Sequence, residues 1–260
     1  MDRSNCNLEG VGVLVTRAVH QAAGLCKLID ELQGRPIRLP AVEICAPAQT
    51  EALSEQLAQT KTCDIAIFIS TNAVNWGLKQ LPGGRLPEKV IIAAVGLATA
   101  QALATSGHAV SVVPDEGFNS EALLATPELS AARVAGQKIL IFRGEGGRQL
   151  LGETLNRRGA SIEYAEVYRR CCPAHVGNLG QADWINDVDI ITATSNIMLD
   201  NLFHLFGQAQ REWLQRTPLV VISERTHNHA GDLGCRQVIL AAGPDDRSIV
   251  EAICGWKSNR

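Results

Sequence analysis

The sequence predicts an α/β protein with two similar domains, each a parallel sheet of about five strands flanked by helices. Short runs of Val, Ile and Leu alternate with stretches of helical spacing, a pattern typical of βα units. Hydrophobic residues make up 46% of the chain but aromatic residues only 4%, so aliphatic side chains must build the core. Such residues suit parallel sheets that are covered by helices on both faces.

Ten segments are predicted as strands, and they fall into two series of five. The first series is Val11–Thr16, Pro36–Leu39, Ile65–Ser70, Val90–Val95 and Val110–Pro114. The second series is Ile139–Arg143, Ser161–Val167, Asp189–Ala193, Leu219–Ile222 and Val238–Ala241. Between most of them lie roughly 10 to 15 residues with helical spacing, which is long enough for a crossover helix.

The two series indicate an internal duplication. Val13–Arg17 is similar to Ile139–Arg143, and the offset between the two segments is 126 residues. Ser70 and Thr99 have counterparts in the second half, Ser195 and Thr226, at nearly the same offset. Short apolar strands can resemble one another by chance, but the matching polar residues at the strand ends favour duplication. Each half has the length of a small domain.

The bulk properties exclude several classes of protein. The net charge is -3 with a pI of about 6.1, and there is no basic run, so a nucleic-acid partner is not expected. No apolar run is long enough for a membrane span, and the polar N-terminus lacks the apolar core of a signal peptide, so we expect neither a membrane span nor a signal peptide. The eight cysteines are scattered without a C-x-x-C motif. We therefore expect a reduced, cytoplasmic protein with neither a disulfide framework nor a metal site.

A candidate ligand site follows from the sheet topology, because ligands of parallel sheets bind beyond the carboxyl ends of the strands. These positions are rich in hydroxyl, amide and glycine residues, in both halves of the chain. Ser, Thr and Asn at such positions can instead be simple helix N-caps. Their recurrence in both halves favours a ligand cleft. The candidate residues are Arg17, Ser70, Thr71, Asn72, Gly96, Thr99, Arg143, Gly144, Ser195, Asn196, Ser223 and Thr226.

The glycine-rich loop after Arg143 resembles half of a nucleotide-binding fingerprint. The pattern G-x-G-x-x-G begins at Gly144, but its third glycine is replaced by Gln149. The equivalent segment 17–20 in the first half has no glycine at all, so a nucleotide site is not expected. Both halves share a strand that ends in arginine before a helix start. Arg17 and Arg143 can either contact anionic groups of a ligand or brace the site, and the sequence leaves this open.

Tyr168 stands out because the chain has only two tyrosines. It follows the predicted strand Ser161–Val167 at a point where the chain is expected to cross between domains. A phenol can donate a hydrogen bond to a leaving hydroxyl or to a carboxylate. A tyrosine that packs at a domain boundary is the alternative, and position alone does not decide between them.

Several segments, taken in order, resemble the uroporphyrinogen-III synthase family over nearly the whole chain. No single motif decides the matter, but the ordered combination is specific. The segments are Val13–Arg17, Phe68–Val74, Ala94–Ala100, Ile139–Glu145, Gly159–Ala160, Tyr168–Arg170 and Ala193–Ser195.

This resemblance implies a domain arrangement in which a two-stranded connector joins two α/β domains and the substrate sits in the cleft between them. Residues 1–38 together with 172–260 would form the first domain, and residues 42–168 the second. Residues 39–41 and 169–171 would be the connectors.

The resemblance also implies an activity. Enzymes of this family take linear hydroxymethylbilane, remove water, invert ring D and close the macrocycle to uroporphyrinogen III, a precursor of heme, siroheme and cobalamin. They use no metal or organic cofactor. The resemblance implies that Tyr168, which matches a tyrosine of the family, assists loss of the hydroxyl, and that Thr99, Ser195 and Thr226 line the cleft. We expect a cytoplasmic monomer with no membrane partner and with a transient contact to the upstream bilane-forming deaminase. A non-catalytic two-domain protein that binds a small anion is the alternative function.

Overall fold

The computed structural model describes residues 6–48, 50–174 and 183–260. Residues 1–5 and 175–182 of the predicted first domain lie outside the described residues. The chain divides into two compact units. Unit 1 comprises the residues up to Glu43 and Cys171–Arg260, and unit 2 comprises Ile44–Arg170.

The described residues contain ten strands and eleven α-helices, numbered here along the chain. The strands are β1 Gly12–Val15, β2 Arg35–Arg38, β3 Glu43–Cys45, β4 Ile65–Phe68, β5 Ile91–Ala94, β6 Lys138–Gly144, β7 Ser161–Cys171, β8 Ile190–Ala193, β9 Leu219–Val221 and β10 Val238–Leu240. The helices are α1 Val19–Glu31, α2 Thr50–Ala58, α3 Thr71–Gln80, α4 Leu97–Thr105, α5 Ser120–Leu124, α6 Ala131–Val134, α7 Leu150–Arg157, α8 Asn196–Phe206, α9 Arg211–Arg216, α10 Glu224–Asp232 and α11 Asp246–Ser258.

Unit 1 is built on a parallel five-stranded sheet in the order β10-β9-β8-β1-β2. Side chains of a strand alternate between its two faces, so Val13 and Val15 point to one face and Leu14 to the other. Val13 and Val15 pack in one core cluster with residues of α1 and α11, whereas Leu14 packs with residues of α8, α9 and α10. Both faces of the sheet are therefore buried, which explains why β1 is apolar at all four positions.

Unit 2 contains the second sheet, in the order β3-β7-β6-β4-β5, with β7, β6, β4 and β5 paired in parallel. The rings of Phe68 and Phe142 on adjacent strands stack with centroids 4.3 Å apart. They belong to a core cluster that includes residues of α3 and α4, and a second cluster on the other face includes residues of α5, α6 and α7. The run β5-β4-β6-β7 has the same order as β9-β8-β1-β2 in unit 1, as a duplication requires.

Three features of this unit differ from the predicted strands. Val110–Pro114 forms only an isolated bridge, between Val112 and Ala93, and ends in a proline that has no N–H to donate. The three-residue strand β3 was not predicted, because Glu43–Cys45 carries no apolar run. Strand β7 continues to Cys171, so Tyr168 lies within a strand rather than beyond its end.

The expectation that all cysteines are reduced is wrong for one pair. Cys6 and Cys254 form a disulfide within unit 1, between the segment before β1 and helix α11. The other six cysteines are free. Desolvation by burial raises the pKa of the Cys63 and Cys235 thiols to about 11, which keeps them protonated and unreactive. In the described part of the chain, no helix combines the length and apolarity that crossing a membrane requires.

Candidate active site at the carboxyl ends of the strands

The parallel strands of each sheet bring several helix starts to one edge. In unit 2, α3 follows β4 and α4 follows β5; in unit 1, α8 follows β8 and α10 follows β9. The first N–H groups of a helix have no partner within it, and the helix dipole makes this end positive. Each sheet edge is therefore suited to binding carboxylates or other anions.

Three serines occupy the N-cap positions at these edges. The side-chain oxygens of Ser70, Ser195 and Ser223 accept hydrogen bonds from backbone N–H groups at 3.1, 3.3 and 3.2 Å. The N-cap interpretation of these residues is therefore correct. Capping uses only an acceptor position of each hydroxyl, so the proton can still be donated to another group. Gly96 is the N-cap of α4 and provides no side-chain hydrogen bond to the first N–H groups of this helix.

Unit 1 contains a hydrogen-bond network that ties the starts of α8 and α10 together. Thr226 is 1% exposed, and its hydroxyl donates to the side-chain oxygen of Asn196 at 2.9 Å. Since the single proton of Thr226 is used in this way, the Ser223 hydroxyl, 3.0 Å away, must be the donor to Thr226. The network fixes Thr226 and Ser223, whereas the hydroxyl proton of Ser195 is not used in capping.

Unit 2 places Tyr168 beside Ser70. The phenol oxygen lies 3.3 Å from the Ser70 hydroxyl, and the tyrosine is 3% exposed. The ring packs directly on Gly144 of the neighbouring strand. A Cβ atom at position 144 would lie 2.6 Å from two ring carbons, so only glycine allows this approach. The close contact explains why the strand β6 ends in a glycine.

The two arginines at the strand ends are engaged within their own units. Arg17 forms an ion pair with Asp246, the first residue of α11, and donates to the carbonyl oxygen of Pro244 at 3.0 Å. Arg143 is 8% exposed and donates from Nε and Nη2 to one carboxylate oxygen of Glu166, at 3.0 and 2.8 Å. These contacts favour the bracing role over direct contact with a ligand.

On α10, His229 contacts an acidic side chain of another helix. His229 Nε2 lies 2.6 Å from a carboxylate oxygen of Asp200, on the neighbouring helix α8. Within residues 6–48, 50–174 and 183–260, no group of three or more His, Cys, Asp or Glu side chains is arranged to hold a metal ion.

Comparison with known sequences decides the family. The sequence model described as uroporphyrinogen-III synthase HemD matches residues 24–251. The uroporphyrinogen-III synthase of Salmonella typhimurium is 34% identical over 248 residues, which cover 94% of this chain and 100% of that protein. The Escherichia coli enzyme is 33% identical over 250 residues, with 94% and 100% covered.

The chain belongs to the uroporphyrinogen-III synthase family. Proteins of this family are hydro-lyases of tetrapyrrole biosynthesis. The structure of uroporphyrinogen-III synthetase from Helicobacter pylori has a TM-score of 0.61 to this chain at 15% identity, and covers 95% of this chain and 99% of that one. A uroporphyrinogen-III synthase mutant from Thermus thermophilus has a TM-score of 0.53 at 16% identity, with 96% and 100% covered. At these identities the structural likeness shows the fold, which is the two-domain α/β architecture of the family.

Within this synthase fold, the predicted site residues form two groups. Arg17, Ser195, Asn196, Ser223 and Thr226 lie at the edge of unit 1. The group in unit 2 contains Ser70, Thr71, Asn72, Gly96, Thr99, Arg143, Gly144 and Tyr168.

The accessibility of these residues differs. Thr71 and Asn72 are half-buried in the first turn of α3, and Thr99 is buried in the first turn of α4. Sequence reasoning missed the residues that hold the arginines, namely Glu166 and Asp246. Glu166 could have been found, because aligning the two predicted parallel strands from their starts brings the end of Ser161–Val167 beside Arg143, as the observed pairing does. Asp246 is far away in sequence and carries no such signal.

Proposed function

We propose that this chain converts hydroxymethylbilane to uroporphyrinogen III, with loss of water and inversion of ring D. Membership of the synthase family supports this proposal. The observation that carries it is the Tyr168–Ser70 hydroxyl pair beside the start of α3, where a proton donor and a carboxylate-binding helix start lie together.

Substrate binding is assigned to the helix starts at both sheet edges. The bilane carries eight carboxylates, whereas the net charge of the chain is -3, so attraction by the whole protein is not available. The free N–H groups at the starts of α3, α4, α8 and α10 can bind carboxylates locally. Because Arg17 and Arg143 already have carboxylate or carbonyl partners, we assign them the role of bracing these edges.

The substrate supplies much of the chemistry. The lone pair of the terminal pyrrole nitrogen expels the hydroxyl of the hydroxymethyl group, and the carbon–oxygen bond breaks. Tyr168 donates its proton to the departing hydroxyl, which leaves as water, and Ser70 keeps the phenol oriented through the 3.3 Å contact. General-acid assistance of this kind contributes about 10²–10⁴-fold.

Ring closure then depends mainly on orientation. The substituted α-carbon of ring D attacks the electrophilic carbon, and rearrangement through a spiro-pyrrolenine inverts the ring. Loss of a ring proton restores aromaticity and balances the proton that left with water. Holding the flexible bilane in a reactive geometry can lower the barrier by about 7–11 kcal/mol in favourable cases. Such a site needs no strong acid–base pair.

The direct test supplies hydroxymethylbilane to the purified chain and separates the isomers of the product. Isomer III is the expected product, and isomer I alone, which forms spontaneously, would contradict the proposal. A protein that binds the bilane, yet leaves the isomer ratio at its spontaneous value, would instead support the small-anion binding alternative.

The same resemblance leads us to infer a cytoplasmic monomer that receives its substrate by transient contact with the deaminase that forms the bilane. Sedimentation equilibrium tests the monomer. The deaminase contact predicts that isomer III forms faster when both enzymes are present than the free bilane concentration allows. A rate that follows free bilane alone would rule out the contact.

A further inference from the structure

Tyr168 lies on the opposite face of the unit 2 sheet from the face that regular strand alternation predicts. In a regular strand, residues 164, 166 and 168 share one face, and residues 165 and 167 share the other. Tyr164 packs in the cluster on the α7 face, whereas Ala165 and Val167 belong to the cluster on the α3 face. Tyr168 belongs to this second cluster as well, so two consecutive residues, 167 and 168, face the same way.

A register shift between β6 and β7 causes this change of face. Arg143 pairs with Glu166, but the next residue of β6, Gly144, pairs with Tyr168. Val167 is therefore the extra residue of a β-bulge, which rotates the side chain that follows it. The rotation is what brings the phenol onto Gly144 and to within hydrogen-bond distance of Ser70.

Three side chains form a clamp at the last regular pair before the shift. The Arg143 guanidinium carbon lies 4.0 Å from the centre of the Tyr164 ring, and the same guanidinium donates two hydrogen bonds to Glu166. It also donates to the carbonyl oxygen of Arg148 at 3.5 Å. Because Tyr164 and Glu166 lie on β7 and Arg143 on β6, the clamp joins the two strands at the point where their register changes. We name Tyr164, Arg143 and Glu166 the register clamp.

We propose that Glu166 is a positioning residue, which acts through the register clamp to hold the bulge that aims Tyr168 at Ser70. The expected effect of Glu166 on kcat rests on the proposed function, whereas its expected effect on the position of the Tyr168 ring does not. The side chain of Glu166 is 32% exposed, compared with 9% for Arg143, so the carboxylate can be altered with limited disturbance of the core.

Steady-state kinetics of isomer III formation test the catalytic consequence. Glu166→Ala removes both hydrogen bonds from Arg143 and should lower kcat at least tenfold while KM stays within threefold. Glu166→Gln keeps an oxygen acceptor and should restore kcat to within threefold of the wild type. The matched control is Glu163→Ala, which removes an exposed glutamate of the same strand and should leave both constants unchanged. Should Glu166→Ala fail to fold, Glu166→Asp carries the same test, since its shorter carboxylate cannot keep both contacts.

Two further measurements separate positioning from general stability. If Glu166 acts only through Tyr168, the double variant Glu166→Ala/Tyr168→Phe will have the kcat of Tyr168→Phe alone. The chain has two tyrosines, so 3-fluorotyrosine labelling gives two fluorine NMR signals, which Tyr168→Phe assigns. We expect Glu166→Ala to shift the Tyr168 signal, and Glu163→Ala to leave it in place.

Each contrary result overturns the proposal. An unchanged kcat in Glu166→Ala, kcat losses that multiply in the double variant, or a Tyr168 signal that does not move would exclude positioning. A raised KM at constant kcat would assign Glu166 and Arg143 to substrate binding instead. If the wild type makes no isomer III, the proposed function fails, and the fluorine signal still decides whether the clamp places Tyr168.

Discussion

Replacing Gly144 with alanine probes the placement of Tyr168 with a single methyl group. The φ angle at Gly144 is not in the left-handed region, so alanine meets no backbone strain there. Its Cβ, however, would lie 2.6 Å from ring carbons Cε2 and Cζ and 3.1 Å from Cδ2 of Tyr168. Because ordinary contacts begin at 3.4 Å, the ring must move by about 0.8 Å or more.

The expected cost follows from this displacement. Overpacking of a buried site typically costs about 1–3 kcal/mol of unfolding free energy. A shift of this size also displaces the phenol oxygen, which lies 3.3 Å from the Ser70 hydroxyl and so has little margin within hydrogen-bond distance. Misplacement of a catalytic group by ~1 Å can lower the rate about 10²-fold. We therefore expect kcat for isomer III formation to fall about a hundredfold, with a smaller change in KM.

The assay combines initial rates of isomer III formation with urea unfolding. Gly255→Ala is the control, because a Cβ at this position in α11 meets no atom within 4 Å and should stabilise the helix by up to about 1 kcal/mol without affecting turnover. Since Gly144→Ala acts through the tyrosine, combining it with Tyr168→Phe should cause no further loss of kcat. A Gly144→Ala variant with wild-type turnover would refute the reasoning that the position of Tyr168 matters.

Three further predictions concern other parts of the chain. Thr226→Val leaves the side-chain oxygen of Asn196 without its donor, so it should lower the unfolding free energy by about 1–3 kcal/mol and reduce kcat/KM. Thr226→Ser keeps the hydroxyl and should retain both the stability and kcat/KM. Equal behaviour of the two variants would contradict the hydrogen-bond network between the starts of α8 and α10. Desolvation by burial lowers the pKa of His108 below its ordinary value of 6.5, so protons bind preferentially to the unfolded chain and stability should fall as pH drops below about 6.5. His108→Gln should weaken the dependence of the unfolding free energy on pH, measured by urea titrations between about pH 5 and 7. An unchanged dependence on pH in this variant would argue against the role of His108. Thiol titration of protein purified without reductant and then denatured should give six free thiols, rising to eight after reduction, and eight before reduction would contradict the Cys6–Cys254 disulfide.

The sequence was sufficient to predict the elements whose signal is local. β1, β4, β6 and β8 are buried on both faces, so each appears as a short apolar run in the sequence. The N-caps Ser70 and Ser195 follow from the rule that a hydroxyl residue precedes a helix start. Such features depend on neighbours within a few residues, so the local pattern of side chains is enough to predict them.

Features that depend on distant partners were beyond the sequence. Val110–Pro114 has a strand-like composition, yet only Val112 pairs, because pairing is decided by the neighbouring strand. The bulge that turns Tyr168 to the other face depends on the pairing between β6 and β7, and neither segment has a sequence pattern that indicates it. The same holds for the Arg17–Asp246 ion pair, whose partners are 229 residues apart, and for the Cys6–Cys254 disulfide, which spans 248.

On the proposed mechanism, this chain directs the ring closure of hydroxymethylbilane through Tyr168. The most direct measurement is the ratio of isomer III to isomer I formed from free bilane by the wild type and by Tyr168→Phe, at equal protein concentration. We predict mostly isomer III with the wild type and a clearly larger share of isomer I with the variant, because slower enzymatic closure lets the spontaneous reaction compete. Equal ratios in the two proteins would contradict the role of Tyr168, and isomer I alone from the wild type would contradict the function itself.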